Sequence, residues 1–224
     1  MIAQRLEPTL ALTLLTTVIA VLVAVPLGIL AAWKFGTVTD HAIMAVVVAA
    51  FSCPVFLIGY ALVQQFSRTW RVLPVQGFTP LAEGVGPFLQ HLVLPAVSLG
   101  LVYTALLARM TRSTMLEVLG EDYIRTARAK GLGVRQVLLR HGLRNAAIPI
   151  VTTIGLGIAL LLGGVVVAES VFAIPGIGRL TVEAMQQRDY PVIQGVILVS
   201  SLAYVLVNLL IDLTYLLLDP RIRY

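Results

Sequence analysis

The residues able to do chemistry in this chain are few and widely spaced. Asp212 is the one acid within an apolar stretch, because the apolar run resumes beyond it through Leu218. A carboxylate in such a setting is a functional candidate by default. It lies seven residues before Asp219, roughly 10 Å from that end of the stretch at about 1.5 Å per residue. Two readings follow. A proton relay would make the chain an ion-gradient-driven secondary transporter; the other reading is an ion pair with Arg221 or with an arginine of the Arg109–Arg144 segment. His41, His91 and His141 stand at separate loop or helix ends with no second His or Cys at ligand spacing, which predicts no metal site. No Gly-x-x-x-x-Gly-Lys-Ser/Thr run occurs, and Lys130-Gly131 is in the wrong order, so the chain is not expected to cradle nucleotide phosphates. With no readable Ser, His and Asp set, no catalytic residue is assigned and the chain is not expected to be an enzyme. Cys53, between Ser52 and Pro54, reads as a small buried apolar residue.

The densest polar segment, EDYIRTARAKGLGVRQVLLRHGLRNAAIP from Glu121 to Pro149, has a helical pattern on both sides of Gly131-Leu132-Gly133. Asp122 is placed to cap a first short helix, on which Ile124, Ala127 and the small Ala129 form a face that another protein could approach closely. The glycines then turn the chain. Val134, Val137 and Leu138, followed at helical spacing by His141, start a second helix with Arg135, Arg140 and Arg144 towards its polar side. From periodicity alone, a basic helix lying on anionic lipid explains this pattern as well as a docking element does.

These residues must be positioned by elements that the composition restricts. Of 224 residues 58% are hydrophobic and only 12% charged, with a mean hydropathy of +0.94, which excludes a soluble globular domain. Uncharged apolar runs extend over Leu10–Trp33, Ala42–Phe66, Leu92–Ala108, Asn145–Ala168 and Tyr190–Ile211, giving five spans and no length for a soluble domain beside them. The third run is the shortest, and Arg109 and Arg112 are expected to continue its helix with their charged heads in water. Pro26, Pro54, Pro95 and Pro149 predict bends. The net charge of +5 fits orientation in a membrane rather than nucleic-acid binding. Lys34, Arg109, Arg112, Arg125, Arg128, Lys130, Arg135, Arg140, Arg144, Arg221 and Arg223 fall on one side of the spans, against Arg5, Arg68, Arg71, Arg179 and Arg188 on the other. The first side is therefore expected in the cytoplasm, with the amino terminus outside and the carboxyl terminus inside.

The run Arg125-Thr126-Ala127-Arg128-Ala129-Lys130-Gly131 resembles the "EAA" loop of the permease subunits of ATP-binding-cassette importers, in the variant TARAKGL followed by RHGLRNAAIP. That variant is similar to dipeptide, oligopeptide and nickel permeases. SCPVF at Ser52–Phe56, ESVFAIPGIGRL at Glu169–Leu180, RDYPVIQG at Arg188–Gly195 and NLLIDLTYLLLDPRIR at Asn208–Arg223 resemble the same family in the same order. The resemblance implies an all-α membrane protein with the type I importer permease fold, residues 7–224 forming the permease domain and 1–6 a short extracytoplasmic amino terminus. It implies a coupling loop made of Arg125, Thr126, Ala127, Arg128, Ala129, Lys130, Gly131, Leu132, Gly133, Arg135, His141, Arg144 and Asn145. The implied partners are a second homologous permease, two cytoplasmic ATPases that bind the ATP, an extracytoplasmic solute-binding protein and the lipid bilayer of the cytoplasmic (inner) membrane. The chain itself needs no cofactor on this reading. Relatives commonly carry one more spanning helix and an extracytoplasmic segment before the region equivalent to Leu10; this sequence begins without them, as a fragment or a short permease would.

Ser52, Pro54, Phe56, Thr152, Glu169, Asn208 and Asp212 are the candidates for a translocation path. Small and polar residues of this kind serve equally as close-packing residues between membrane helices. Glu169 ends the fourth run, where it reads either as a solvated helix end or as a contact for a delivery protein or substrate. The implied function is import of dipeptides or oligopeptides, with a nickel chelate as the alternative cargo and the ion-driven transporter through Asp212 as the alternative class.

Overall fold

A computed structural model describes the backbone of residues 2–218, so Asp219, Arg221 and Arg223, including the pairing of Asp212 with Arg221, lie outside the described residues. No strand occurs among the described residues. The chain order is α1 (Ile2–Trp33), α2 (Val38–Ser52), α3 (Val55–Leu62) running into a π-helical turn (Val63–Thr69), α4 (Val85–Gly120), α5 (Asp122–Ala129), α6 (Val134–Gln136) running into a second π-helical segment (Val137–Leu143), α7 (Arg144–Val171), α8 (Ile177–Gln187) and α9 (Tyr190–Leu218). Four of these stretches are long and apolar enough to cross a membrane, and the sharply bent pair either side of Cys53–Pro54 makes up to five. Long uncharged runs leave the backbone no partner but itself, so they wind into helices whose apolar side chains face lipid or another chain. The extreme case is α9, where only 6% of the most apolar window is buried.

Bends are expected at four prolines, and only one of the four interrupts a helix. Pro26, Pro95 and Pro149 lie inside α1, α4 and α7, which continue through them. Only Pro54 breaks its helix, and there Cys53 is exposed rather than buried. A proline within a membrane helix costs little where packing re-satisfies the carbonyl it frees.

The chain divides into two units. The first comprises residues 2–19, 53–102 and 157–207. Its core includes Ile177 and Leu180 of α8 and Val196 of α9, packed by Ile2, Leu6, Val192 and Val199. Gly178 lies so near α7 that a Cβ there would sit 2.7 Å from the Val166 Cα, so glycine fixes the depth at which α8 seats.

The second unit comprises residues 20–52, 103–156 and 208–218. Its core gathers Ala24 and Ile29 of α1, Leu107 and Met115 of α4, Leu138, and Ala146 and Ile150 of α7. Gly28 brings α1 against α4, where a Cβ would meet the Thr111 Cβ at 2.6 Å. Such close backbone approach replaces the hydrophobic driving force that lipid removes.

An ion pair anchors α2 in this unit. Arg112 donates from Nε to Asp40 Oδ1 and from Nη2 to Asp40 Oδ2, both at 2.7 Å, and the Gly36 N–H donates to Oδ2 at 3.1 Å. Asp40 is 2% exposed, and the Arg112 guanidinium lies 5.3 Å from the Phe35 ring centroid. The expected continuation of α4 through Arg109 and Arg112 holds, but the Arg112 head is in this fork rather than in water. Removing one member leaves a desolvated charge without its counter-ion, whereas removing both does not. Asp40→Ala is therefore expected to destabilise the chain by on the order of 3 kcal/mol, and the double variant Asp40→Ala/Arg112→Met to recover most of that loss. Thermal unfolding midpoints in detergent check both.

Candidate coupling and translocation site

The predicted coupling loop folds within the second unit. Helix α5 starts after Glu121, whose backbone is extended and makes no side-chain cap; Asp122 is the first helical residue rather than the cap expected from sequence. Its carboxylate lies 3.2 Å from Arg125 Nη1, and both side chains are largely exposed, so the pair adds little stability. Acid in the first turn and Arg128 in the last both suit the helix dipole.

The face expected to meet another protein is instead the face that holds α5 to its own chain. Ile124 is 0% exposed and Ala127 6%. Ala129 stays exposed, with Tyr123, Arg125, Thr126, Arg128 and Lys130. The reason is the apolar spacing itself: the chain's π-helical segment and α5 pack together, and a helix this polar has only Ile124 and Ala127 to bury.

The turn after α5 is closed by two reciprocal backbone bonds. The Leu132 N–H donates to the Ala127 carbonyl at 3.3 Å and the Gly131 N–H to the Arg128 carbonyl at 3.0 Å, the pairing of a Schellman motif. Gly131 has φ +78°, with nothing within 4 Å of the place a Cβ would take, so conformation and not space requires glycine. Gly133, by contrast, has φ −64° and ψ 151°, open to any residue. Beyond the turn, Arg135 is exposed, His141 half-buried, and Arg144 exposed. Leu132, Val134, Val137 and Leu138 line a cavity of about 270 Å³ with Trp33 and Arg128. Asn145 in the first turn of α7 donates from Nδ2 to the Tyr123 Oη at 3.0 Å and to the His141 carbonyl at 2.8 Å, tying α7 to α5.

The path candidates are divided between the units: Pro54, Phe56 and Glu169 in the first, Ser52, Thr152, Asn208 and Asp212 in the second. Pro54 and Phe56 are exposed. The Ser52 and Thr152 hydroxyls donate to the carbonyls of Val48 at 2.9 Å and Ile148 at 2.8 Å, as helix-embedded hydroxyls commonly do. Asn208 is half-buried, and Asp212 is exposed with no ion pair among the described residues.

Glu169 is neither a solvated helix end nor open to a ligand from solvent, since it is 0% exposed. The Thr9 hydroxyl donates to its Oε1 at 2.6 Å, and the Arg179 N–H, in the first turn of α8, donates to its Oε2 at 2.9 Å. Thr9 Oγ1 in turn accepts the Ile177 N–H at 2.8 Å. A Cβ at Gly176 would overlap this carboxyl group, which explains the glycine at the helix start. Glu169 therefore satisfies an orphan amide of α8 in place of water.

A family model described as the binding-protein-dependent transport system inner membrane component matches residues 24–224. The chain belongs to this family of transport components. It is 51% identical, over all of its length and 72% of the relative's, to the "Probable peptide ABC transporter permease protein y4tP" of Sinorhizobium fredii. It is 42% identical to the "Dipeptide transport system permease protein DppB" of Escherichia coli, over 98% of this chain and 72% of that one. Identity to the "Glutathione transport system permease protein GsiC" of Escherichia coli is 45%, over 100% and 70%. Among solved structures, a chain of the inward-facing MetNI methionine ABC transporter superposes with a TM-score of 0.77 at 18% identity, covering 97% of this chain and 96% of that one. A chain of an amino acid ABC transporter crystallised with histidines gives 0.66 at 14% identity, covering 95% and 92%. The fold is that of type I importer permeases.

In this inner-membrane component the sequence reading omitted Thr9, Asp40 and Tyr123. Asp40 had a local signal, because Thr37-Val38-Thr39-Asp40 has the spacing of a capping box. Thr9 and Tyr123 act through partners far along the chain, and nothing local marks them. For the turn, Gly131→Ala is expected to cost about 1–2 kcal/mol in local stability through the left-handed backbone, whereas Gly133→Ala stays within about 0.5 kcal/mol. Amide hydrogen exchange across residues 124–138 of the purified component distinguishes the two.

Proposed function

We propose that this permease subunit imports peptides, dipeptides or short oligopeptides, across the cytoplasmic membrane by ATP-driven alternating access. It would pair with a similar second permease, each docking one ATPase, and receive cargo from an extracytoplasmic binding protein. Family membership and the peptide and glutathione permeases among its relatives support this reading. Those relatives lend nothing to a nickel chelate as cargo, and the family's dependence on a binding protein lends nothing to an ion-driven transporter through Asp212.

The observation that carries the mechanism is the sidedness of α5. Ile124 and Ala127 are engaged inside the chain, so the outward face of Arg125, Thr126, Arg128 and Ala129 is free to meet an ATPase. On this reading the amino terminus is outside and α5 is cytoplasmic. Closure of the ATPases on ATP would push α5, and the Asn145–Tyr123 tie and the packing of Ile124 would pass that displacement to α7. After hydrolysis the path reopens inward. The permease supplies no catalytic residue; ATP is bound and hydrolysed on the partners.

Charge reversal on the outward face separates docking from folding. Arg125→Glu/Arg128→Glu should insert and melt like wild type, yet lower the ATP hydrolysis stimulated by peptide-loaded binding protein by about tenfold or more in the reconstituted assembly. Wild-type stimulation in the double variant would refute the assignment of α5. Ala127→Trp is not a clean test, because its side chain would enter the buried face.

A further inference from the structure

A cavity of about 410 Å³ in the first unit plays no part in the coupling element. Its polar lining is Tyr60, Gln64, Arg68 and Gln76, and its apolar lining includes Leu57 and Val171. Arg68 belongs to the π-helical turn Val63–Thr69, an uncommon winding that recurs at functional sites. Among the described residues its guanidinium has no carboxylate partner.

The walls of this cavity are fixed by backbone bonds. The chain after the π-helical turn folds back, with the Val72 N–H donating to the Phe66 carbonyl at 3.0 Å and the Ser67 hydroxyl to the Pro74 carbonyl at 3.2 Å. The Gly77 N–H then donates to the Phe172 carbonyl at 3.0 Å, which pins the strand of chain carrying Gln76 beside Val171. Gly59 lets α3 approach the same segment, since a Cβ there would lie 3.2 Å from the Phe172 ring. The polar groups are thus presented on a settled frame.

The lining contributes an unpaired guanidinium and two carboxamides, all solvent-exposed, a donor set suited to a planar anion. Arginine binds carboxylate through two parallel N–H bonds, and each glutamine adds an amide donor. The volume falls within the about 300–1,000 Å³ of small-ligand sites. Resting on the peptide reading above, we propose that Arg68, with Gln64 and Gln76, holds the terminal carboxylate of the transported peptide. Leu57, Tyr60 and Val171 then receive the adjoining side chain. Recognition at the one charged group that all peptides share at their carboxyl end leaves side-chain sequence free.

The test uses the full chain assembled in proteoliposomes with its partner permease, ATPases and binding protein. Uptake of a labelled dipeptide is measured as the free acid and as its carboxy-terminal amide, with loading of the binding protein by each measured separately. Arg68→Ala should lower uptake of the free acid about tenfold more than uptake of the amide, and Arg68→Lys should recover part of the loss. Unchanged uptake of the free acid by Arg68→Ala, or an equal loss for acid and amide, overturns the assignment while leaving peptide import standing. If the amide does not load the binding protein, Gln64→Ala/Gln76→Ala decides, and wild-type uptake of the free acid by that variant overturns the assignment. Failure of the wild-type assembly to take up either peptide, while still hydrolysing ATP with the binding protein present, overturns the peptide reading and this assignment with it.

Discussion

In each unit a buried carboxylate closes on a backbone amide near the start of a helix, and the helix's place depends on that contact. Asp40, 2% exposed, accepts the Gly36 N–H and the fork of Arg112; Glu169, fully buried, accepts the Thr9 hydroxyl and the Arg179 N–H. Helix starts leave amide donors without intrahelical partners, and apolar surroundings make each unmet donor costly. A chain with 12% charged residues has few acids to spend on such sites. Two of them are placed here, one seating α2 and the other α8. The glycines at 176 and 178 follow from the second contact, because side chains there would collide with Glu169 or Val166.

Different attachments hold α5, the proposed coupling helix. Helix α5 is only eight residues long, too short to persist in water by itself. It is held by Ile124 and Ala127 from beneath, by the Schellman turn at its end and by the Asn145–Tyr123 bond from α7. These three attachments leave its cationic face outward. A short helix fixed to a long one moves with it, which is the property a transmitter of displacement needs.

Much of this was legible in the residues. Uncharged runs identified the spans, and Gly131-Leu132-Gly133 identified the turn, because bilayer solvation and left-handed backbone are local demands. What escaped were pairings across long sequence separations. Glu169 reads as a helix end in sequence, and only the proximity of Thr9, 160 residues away, shows it to be enclosed. Arg112 reads as an interfacial cation until Asp40, 72 residues earlier, is found beside it. The inversion of α5 had a similar cause: periodicity defines an apolar face but not which protein covers it. Cys53 was misplaced because an apolar neighbourhood in sequence does not imply burial when the exterior is lipid or another subunit.

ATP on partner subunits and an ion gradient make opposite demands on transport through this chain. The most direct measurement is uptake of a labelled dipeptide into proteoliposomes containing the assembled importer, with functional or hydrolysis-dead ATPases and with the proton gradient intact or collapsed. A permease driven by partner ATPases should give uptake that requires both ATP hydrolysis and the binding protein, survives collapse of the gradient, and persists in Asp212→Asn. Uptake that continues with hydrolysis-dead ATPases and disappears with the gradient or in Asp212→Asn would contradict it.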